Sequence, residues 1–297
     1  MSLAFVHAHD CSEPQSDAVW GVTWTQTDSV ISISADGSIK QFNSSSGQVS
    51  NSLQPHTLGL VSLDVDPLGR HALYNTLEGL TCFWDLESGN VLGRYESYTR
   101  TGPDPIEPAW SVSLHPKGGT YAATGGSGNI TIHSAEPSSF AMSSETGQVY
   151  IFDLAAERLL STYTSHAMAV RSFAWSPDSQ LLVSASEDKR LTIHDVRYNA
   201  TTGKPGSGAV ATLSGHSSWV LSTDVSPDGR LLLSGGADKA IKVWDLGTRT
   251  AVSTIQDTGE VWSVSWRPKP PQHGSPGAFV TGGEDGILRW WRGAGGA

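Results

Sequence analysis

The chain has few cysteines and little basic charge for its length. Cys11 and Cys82 are its two cysteines among 297 residues. Two cysteines cannot form a disulfide framework and are typical of a reducing intracellular compartment, although counting alone leaves a single bridge open. The 19 basic residues are outnumbered by 29 acidic ones, which gives a net charge of −10. Because nucleic-acid binding depends on neutralising phosphates, the sequence predicts no direct contact with nucleic acid.

Long apolar runs are missing as well. No segment approaches the roughly 18 apolar residues of a membrane-spanning helix, so we expect no contact with a membrane. The first ten residues, MSLAFVHAHD, lack both the basic start and the long apolar core of a secretory signal. These absences argue against a secreted disulfide-rich domain and against a membrane protein.

One stretch, His216 to Asp245, shows how the rest of the chain is built. Its apolar residues predict three strands, at 219–225, 231–235 and 240–244. The tetrapeptide Ser-Pro-Asp-Gly at 226–229 predicts a turn between the first two strands, because proline presets φ and glycine accepts positive φ. Similar stretches recur along the chain, so the sequence is a repeat.

The residue that occupies the position of Trp244 sets the period of this repeat. The equivalent residues are Phe42, Trp84, His133, Phe152, His194, Trp244 and Trp291, at spacings of 42, 49, 19, 42, 50 and 47 residues. A period of about 40–45 residues with four short strands is typical of a propeller blade. The sequence therefore predicts an all-β fold, a seven-bladed β-propeller.

The third strands also carry a short signature. FWDL at 83–86, IFDL at 151–154, IHDV at 193–196 and VWDL at 243–246 resemble the ending of the WD repeat. In the WD-repeat family a His before the first strand, a Ser or Thr in the second, an Asp in the tight turn and a Trp in the third form a hydrogen-bonded tetrad. The resemblance therefore implies structural tetrads in three blades of this chain.

The implied tetrads differ in completeness. Blade six has all four residues; blade five has a His at the Trp position; blade two has Tyr74 and Glu78 at the middle positions. The members are His216, Ser234, Asp238 and Trp244 in blade six; His166, Ser184, Asp188 and His194 in blade five; and His56 and Trp84 in blade two. Because such residues occur once per blade, they lie far apart, and we expect no metal, no cofactor and no catalytic residue among them.

The repeats predict one domain over residues 1–297. The blades are expected at about 9–53, 56–95, 108–137, 139–163, 166–213, 216–255 and 261–292. The last blade ends on its third strand. We therefore expect the apolar residues Leu3 to Val6 to supply its fourth strand and close the ring, since closure removes exposed sheet edges.

Blade four is abbreviated. Only 19 residues separate His133 from Phe152, where about 42 are expected from the repeat. The fourth strand of blade three and the first strand of blade four are missing. Either the blade is truly short, with a distorted wall, or the sequence comes from a transcript or gene model that lacks residues. The high free-energy cost of unpaired backbone in such a gap favours the second explanation.

Stretches outside the repeat signature narrow the resemblance. SHAMAVRSFAWSPDSQLLVSASED at 165–188 and LSGHSSWVLS at 213–222 are similar to one branch of the family. That branch supplies the WD-repeat subunit of the superkiller complex and, in animals, joins the RNA polymerase II-associated elongation-factor complex. The resemblance implies a non-enzymatic adaptor, cytoplasmic and nuclear, that supports exosome-dependent 3′-to-5′ mRNA decay.

The same branch implies the partners. These are a tetratricopeptide scaffold subunit and an RNA helicase and, from fungal relatives that act in meiotic recombination, a meiotic double-strand-break factor. The fold alone does not fix the function. A substrate receptor of a ubiquitin ligase, or another protein-interaction propeller, remains open as the alternative.

Aromatic residues recur where the first strands begin, at the channel mouth on the narrow face of such a ring. The aligned residues are Trp20, Val61, Trp110, Arg171, Leu221 and Trp262, with Trp219 just before Leu221. Trp and Arg are enriched in binding hot spots. We therefore predict that Trp20, Trp110, Arg171, Trp219, Leu221 and Trp262 bind a partner; the alternative is that the indoles pack between blades. An apolar anchor with a basic group would suit this acidic, aromatic surface.

An enzyme that used the channel would need acidic or histidine residues to converge on its axis. The mouth positions are mostly aromatic or aliphatic, so the sequence favours an interaction scaffold.

Overall fold

The structure is a computed structural model, and it describes residues 3–96, 109–114, 121–125, 130–133, 139–143, 147–153, 158–197, 209–269 and 275–294. The regular elements in these ranges are strands, which form seven antiparallel sheets. Within the same ranges, no helix has the length and apolar character needed to cross a bilayer.

The first half of the chain contains β1, two four-stranded blades and one blade with three described strands. Strand β1 is Phe5–Asp10; blade one has β2 (Val19–Trp24), β3 (Ser29–Ser34), β4 (Ile39–Asn43) and β5 (Val49–Ser52); blade two has β6 (Leu60–Val65), β7 (His71–Thr76), β8 (Leu80–Asp85) and β9 (Val91–Glu96); blade three has β10 (Ala109–Leu114), β11 (Tyr121–Gly125) and β12 (Ile130–His133).

The second half follows the same plan. Blade four has β13 (Ser139–Ser143), β14 (Val149–Asp153) and β15 (Arg158–Tyr163); blade five has β16 (Val170–Trp175), β17 (Leu181–Ser186), β18 (Arg190–Asp195) and β19 (Ala209–Ser214); blade six has β20 (Val220–Val225), β21 (Leu231–Gly236), β22 (Ala240–Asp245) and β23 (Thr250–Gln256); blade seven has β24 (Val261–Trp266), β25 (Ala278–Gly283) and β26 (Leu288–Gly293). The strands predicted in blade six are confirmed to within one residue at each end.

The N-terminal strand closes the ring, as predicted. Strand β1 pairs antiparallel with β26, and the sheet order is β1-β26-β25-β24. The Phe5 ring lies 5.1 Å from the Phe279 ring and 6.0 Å from the Trp266 ring, measured between centroids. Apolar burial and backbone pairing therefore hold the first strand to the last blade.

Blades three and four are short in the way that the spacing predicts. In the described part of the chain, each has three strands, in the orders β10-β11-β12 and β13-β14-β15. Strand β13 contacts β16, just as β17 contacts β20 and β21 contacts β24. Strand β13 thus holds the position of a second strand, and no first strand of blade four lies among the described residues.

The hydrophobic core lies between neighbouring blades rather than inside one. Val19 and Val22 of blade one, for example, pack with Val280 and Leu288 of blade seven. One small sheet cannot bury both of its faces, so the blades must stack. Cys11 and Cys82 are buried and free, so the single disulfide that counting left open does not form.

Serine side chains join the inner strands of adjacent blades. The Ser263 hydroxyl accepts from the Val22 backbone N–H at 2.9 Å, and the Ser222 hydroxyl accepts from the Val264 N–H at 3.1 Å. Two further bonds of this kind link Ser62 to Val112 and Ser172 to Thr223. These bonds satisfy backbone donors that face the next blade and not the strand's own sheet.

The blade-six tetrad forms as predicted. Trp244 Nε1 donates to Ser234 Oγ at 2.9 Å, Ser234 Oγ lies 2.8 Å from His216 Nε2, and His216 Nδ1 lies 3.0 Å from the Asp238 carboxylate. Because the indole can only donate, the order of donors runs from Trp244 to Asp238. Burial opposes the charge of Asp238, but the hydrogen bonds from His216 and two backbone N–H groups outweigh it and lower the pKa of Asp238 to about 2.

The blade-five tetrad has the same series of hydrogen bonds, with the His194 imidazole in the place of the Trp244 indole. His166 lies 2.9 Å from Asp188 and 2.8 Å from Ser184, and His194 Nε2 lies 3.0 Å from Ser184 Oγ. His194 Nδ1 is buried without a hydrogen-bond partner among the described residues. Burial, with the nearby His166 charge, lowers the pKa of His194 to about 3.

In blade two the implied tetrad is wrong in one respect. His56 Nε2 contacts the Tyr74 hydroxyl at 3.2 Å. Trp84 is fully buried, yet no acceptor for its Nε1 lies among the described residues. The bulky Tyr74 stands where a Ser would receive the indole N–H, so Trp84 acts here by packing alone.

In blades one and seven other polar contacts take the place of the His–Asp contact of the tetrad, and the sequence analysis did not predict them. In blade one Gln15 Nε2 donates to Ser38 Oγ at 3.0 Å. In blade seven Arg289 pairs with Asp257 at 3.2 Å and with Asp285 at 2.6 Å. Neither set contains the His–Asp pattern, and that pattern was the signal used to find tetrads.

Candidate protein-interaction site

Each inner strand has a β-bulge near its start, and the bulged residue is the predicted mouth residue. Val19 pairs with Ser34 and Gly21 pairs with Ile33, so Trp20 has no partner across the sheet. The same shift occurs at Val61, Trp110, Arg171, Leu221 and Trp262. A bulge turns a side chain away from the regular alternation of the strand. The repeat therefore presents six equivalent side chains around the channel mouth.

Two of these residues meet across the junction of blades one and seven. The indole rings of Trp20 and Trp262 are stacked, with centroids 6.2 Å apart and planes inclined by 10°. Both side chains are half-buried. Trp262 Nε1 is buried without an acceptor among the described residues. The pair forms a flat apolar surface that packs between the two blades and is partly open to solvent.

The mouth of blade five carries an ion pair. Arg171 Nε donates to Glu187 Oε1 at 2.7 Å, and Arg171 Nη2 contacts the same oxygen. The Arg171 side chain is 51% exposed, while that of Glu187 is 11% exposed. Arg171 therefore neutralises an acid of the rim and still presents part of its guanidinium to solvent.

The other predicted residues vary in exposure. Trp219 is 43% exposed and lies in the loop before β20, and Leu221 is half-buried. Trp110 belongs to β10 by its backbone, but its side chain lies outside the described residues. The structure thus brings Trp20 and Trp262 together and leaves Arg171 and Trp219 as separate exposed groups.

Two exposed apolar residues in the same loops were missed from the sequence. Leu58 and Met168, which precede β6 and β16, are 49% and 43% exposed. Each lies two residues after the His that begins its blade. Single apolar residues in loops carry no periodic signal, so only the repeat alignment could have found them.

Acidic residues flank the stacked indoles. The backbone N–H of Glu260, two residues before Trp262, donates to Glu284 Oε2 at 3.4 Å. Among the described ion pairs, neither Glu260 nor Glu284 has a cationic partner. A negative rim around an aromatic surface attracts a partner segment that carries a basic residue.

The inner strands line a cavity of about 660 Å³. Asp64 and Asp224 line it, together with hydroxyl side chains such as Ser172 and Ser265. Burial raises the pKa of Asp224 to about 7 against the hydrogen bond that it accepts from the Trp266 N–H at 2.7 Å. Among the described residues, no three His, Cys, Asp or Glu side chains are placed to hold a metal ion.

The tetrads have the hydrogen-bond order of a Ser-His-Asp triad, so their accessibility matters. Ser184 and Ser234 are both 0% exposed. A nucleophile must reach a substrate carbonyl, and these hydroxyls are enclosed between strands. The arrangement in blades five and six is therefore structural.

Comparisons with known proteins agree with this geometry. The family description "WD domain, G-beta repeat" matches residues 157–195, 208–245 and 249–292. A search of solved structures finds similarity to the crystal structure of the WD40 β-propeller domain of Doa1, with a TM-score of 0.77, 16% identity and 97% coverage of both chains. At this identity the likeness concerns the fold alone.

Three relatives are similar in sequence. Meiotic recombination protein rec14 of Schizosaccharomyces pombe is 32% identical over 319 residues, covering 97% of this chain and 95% of the relative. WD repeat-containing protein SL1-17 of Schistosoma mansoni is 26% identical and covers 65% of this chain and 72% of the relative. WD repeat-containing protein VIP3 of Arabidopsis thaliana is 26% identical and covers 61% of this chain and 54% of the relative. With a repeat match, a propeller neighbour and a relative aligned over nearly the whole length, the chain belongs to the WD-repeat family.

Proposed function

We propose that this chain is a non-enzymatic adaptor subunit of the superkiller complex that supports exosome-dependent 3′-to-5′ decay of cytoplasmic mRNA. WD-repeat propellers in general act as protein-interaction scaffolds, and the aromatic and arginine side chains at the channel mouth of this chain support such a role. The proposal includes a cytoplasmic and nuclear location and no direct contact with RNA, because the net charge is −10 and RNA binding needs a basic surface.

The observation that supports the proposal most is the stacked pair Trp20–Trp262 at 6.2 Å. Two adjacent half-buried indoles offer more apolar area than a single surface aromatic, and Trp is enriched in hot spots. Glu260 and Glu284 beside them favour a partner residue with positive charge. We infer that the tetratricopeptide scaffold subunit presents an apolar anchor with a basic neighbour here, and that the RNA helicase is held through the scaffold.

A second role follows from the similarity to rec14, which is named a meiotic recombination protein. The alignment spans nearly all of both chains, so the mouth lies within it. We infer that a meiotic double-strand-break factor uses the same surface as the scaffold subunit. The two partners would then compete for one chain.

The test is a titration of the full chain with the scaffold subunit. Trp262→Ala should weaken binding by more than tenfold, because truncating a buried aromatic anchor costs about 2 kcal/mol or more. Leu92→Ala, at a 55% exposed site on the outer strand β9, is the control and should bind as wild type. Thermal melts run in parallel show whether the Trp262 variant is folded.

Two results would contradict the proposal. Wild-type affinity of a folded Trp262→Ala variant would place the scaffold elsewhere on the ring. Affinity purification that recovers ubiquitin-ligase subunits in place of the scaffold and the helicase would favour the substrate-receptor alternative.

A further inference from the structure

The ring is closed by a strand that no hairpin attaches to its blade. Strands β24, β25 and β26 follow one another in the chain, whereas β1 joins the same sheet from the other end of the sequence. It pairs with β26, and just before it the Leu3 N–H donates to the Val252 carbonyl of blade six at 2.9 Å. Release of β1 would therefore break one row of pairing and leave the hairpins of blade seven intact.

Few side chains of β1 are buried against the ring. Of its residues, Phe5 is buried, His9 is half-buried, and the others are exposed. Phe5 begins the strand and packs on Phe279 and Trp266. His9 lies near the other end of the strand. Attachment of the second half of β1 therefore depends strongly on the His9 ring.

His9 lies where β1 meets both blade seven and blade one. Its ring stacks on the indole of Trp290, with centroids 4.9 Å apart and planes inclined by 16°. The turn after β4 of blade one also approaches the ring, since a Cβ at Gly47 would lie 3.0 Å from His9 Cδ2. The Gly47 carbonyl accepts from the Ser12 N–H at 2.8 Å. We call this contact of β1 with blades seven and one the seam.

The seam suits a neutral imidazole. His9 Nε2 is buried, and no hydrogen-bond partner for it lies among the described residues. A protonated ring has two N–H donors, and a charged donor enclosed without an acceptor is costly. Burial lowers the pKa of His9, and the charge of His7 lowers it further, whereas Asp10 and the Ser44 carbonyl raise it by less. Protonation of His9 therefore weakens the seam.

The charged groups of the packed elements do not cancel this effect. Asp10 favours a proton on His9, but its carboxylate lies 2.7 Å from His7 Nε2 and 3.9 Å from Arg289 Nε. It is thus shared with two other groups. Residues 41–51, which include the blade-one turn, contain no titratable side chain. The other charged side chains of β26 and β4 are the cations Arg292 and Lys40.

We propose that the seam is a pH-sensitive latch, in which protonation of His9 releases β1 while the rest of the ring stays folded. The stabilisation by neutral His9 is fully present above its ordinary pKa of 6.5 and is lost as the pH falls below that value. A released β1 exposes the edge of β26 and the ring of Phe5. The latch is separate from the channel mouth and does not depend on which partner binds there.

The test is hydrogen exchange of the full chain at pH 7.5 and pH 5.5, with each rate divided by the intrinsic rate at that pH. Opening of β1 should increase by about fivefold to tenfold at pH 5.5, because one added proton changes an equilibrium by up to tenfold per pH unit below 6.5. Strand β21, inside the sheet of blade six, should stay at least tenfold better protected than β1 at both pH values.

Variants assign the response to one ring. His9→Phe keeps an aromatic ring for Trp290 but cannot titrate, so the opening of β1 should differ by less than twofold between the two pH values. His9→Gln, which does not titrate either, should give the same result and covers the case in which His9→Phe does not fold. His7→Gln is the matched control, since His7 titrates on the same strand but is exposed. It should keep the response of the wild type.

Four outcomes would overturn the proposal. Equal protection of β1 at the two pH values would show that the seam does not respond to acid. A wild-type response in a folded His9 variant would assign the proton to another group, and loss of the response in His7→Gln would assign it to His7. Exchange of β1 and β21 at one common rate would show that acid unfolds the ring as a whole.

Discussion

Blades five and six share three tetrad residues and differ in the fourth. In blade six the Trp244 indole donates to Ser234, and every polar group of the tetrad has a partner. In blade five His194 makes the equivalent contact with Ser184 at 3.0 Å, but its second ring nitrogen has no partner among the residues that the structure describes. The serine oxygen accepts from either ring, so the hydrogen bond alone does not require Trp. The two rings differ in the volume that they fill and in their ability to titrate.

The neighbouring strand compensates for the smaller ring. Tyr163, at the end of the outer strand of blade four, stacks on His194 with centroids 4.4 Å apart. In blade six the equivalent neighbour of Trp244 is Leu213, in the same hydrophobic cluster. Tyr163 with His194 and Leu213 with Trp244 fill similar volumes. The two residues of each pair are therefore matched in size.

The largest difference between the blades should appear on truncation. Trp244→Ala should lower the free energy of unfolding by about 3–5 kcal/mol, since it leaves a cavity at a site that is 2% exposed. His194→Ala removes a smaller ring and one imperfectly satisfied group, so its loss should be smaller. Denaturant unfolding of both variants measures the order. A wild-type midpoint for Trp244→Ala would refute the structural role of the tetrad.

Exchanging the rings tests the packing of the pair. His194→Trp should destabilise the chain by about 1–3 kcal/mol, because the larger ring collides with Tyr163 in a filled site. The double variant His194→Trp with Tyr163→Leu reproduces the pair of blade six and should recover most of that loss. Tyr163→Leu alone is the control and should be destabilising. Equal stabilities of the single and double Trp variants would show that the two sites do not share a volume.

Acid should destabilise the tetrad of blade five through His194, which titrates, whereas Trp244 at the same position of blade six does not titrate. The pKa of His194 is lowered to about 3, so below pH 6.5 the unfolded chain binds a proton that the folded chain does not. Stability from this group is present above pH 6.5 and declines at about 1.4 kcal/mol per pH unit. His194→Gln should therefore gain roughly 2 kcal/mol relative to wild type between pH 7 and pH 5. A pH-independent difference between the two would disprove the assignment.

The inner strand of blade six contains Asp224, whose contribution to stability changes with pH in the opposite direction to that of His194. Burial raises the pKa of Asp224 to about 7, so the folded chain holds a proton that the unfolded chain releases above pH 3.8. Its stabilising contribution is present at low pH and is lost as pH rises toward 7. Asp224→Asn keeps an acceptor for the Trp266 N–H. Relative to wild type, the free energy of unfolding of Asp224→Asn should rise between pH 5 and pH 8. The rise should be smaller than the change expected for His194→Gln, because Asp224 is only partly buried.

Local periodicity was enough to predict the blades. The strand bounds of blade six, the closing strand and the missing strands of blades three and four follow from alternation, turn residues and spacing, all of which are local. The mouth residues were aligned correctly for the same reason. That Trp20 and its equivalents sit on bulges was not predicted, because a bulge depends on pairing with the next strand and leaves no compositional mark at Trp20, Arg171 or Leu221.

Contacts between distant residues could not be predicted in this way. Trp20 and Trp262 stack although 242 positions separate them, and Arg171 finds Glu187 across a hairpin. Gln15 and Arg289 replace tetrad residues with different chemistry, so a search for His and Asp passes over them. Each case depends on which side chains the folded ring brings together, and a repeat pattern does not encode that.

The pairing of β1 with β26 has a consequence for biosynthesis. Phe5 pairs with Gly293, and a ribosome adds about 5–20 residues per second. The first strand must therefore wait roughly a quarter of a minute to a minute before its partner exists. For that time its backbone edge and the Phe5 ring stay exposed to other nascent chains and to chaperones. Strand β1 is therefore synthesised first and pairs last. The yield of folded protein in the cell depends on how well this strand is protected during the delay.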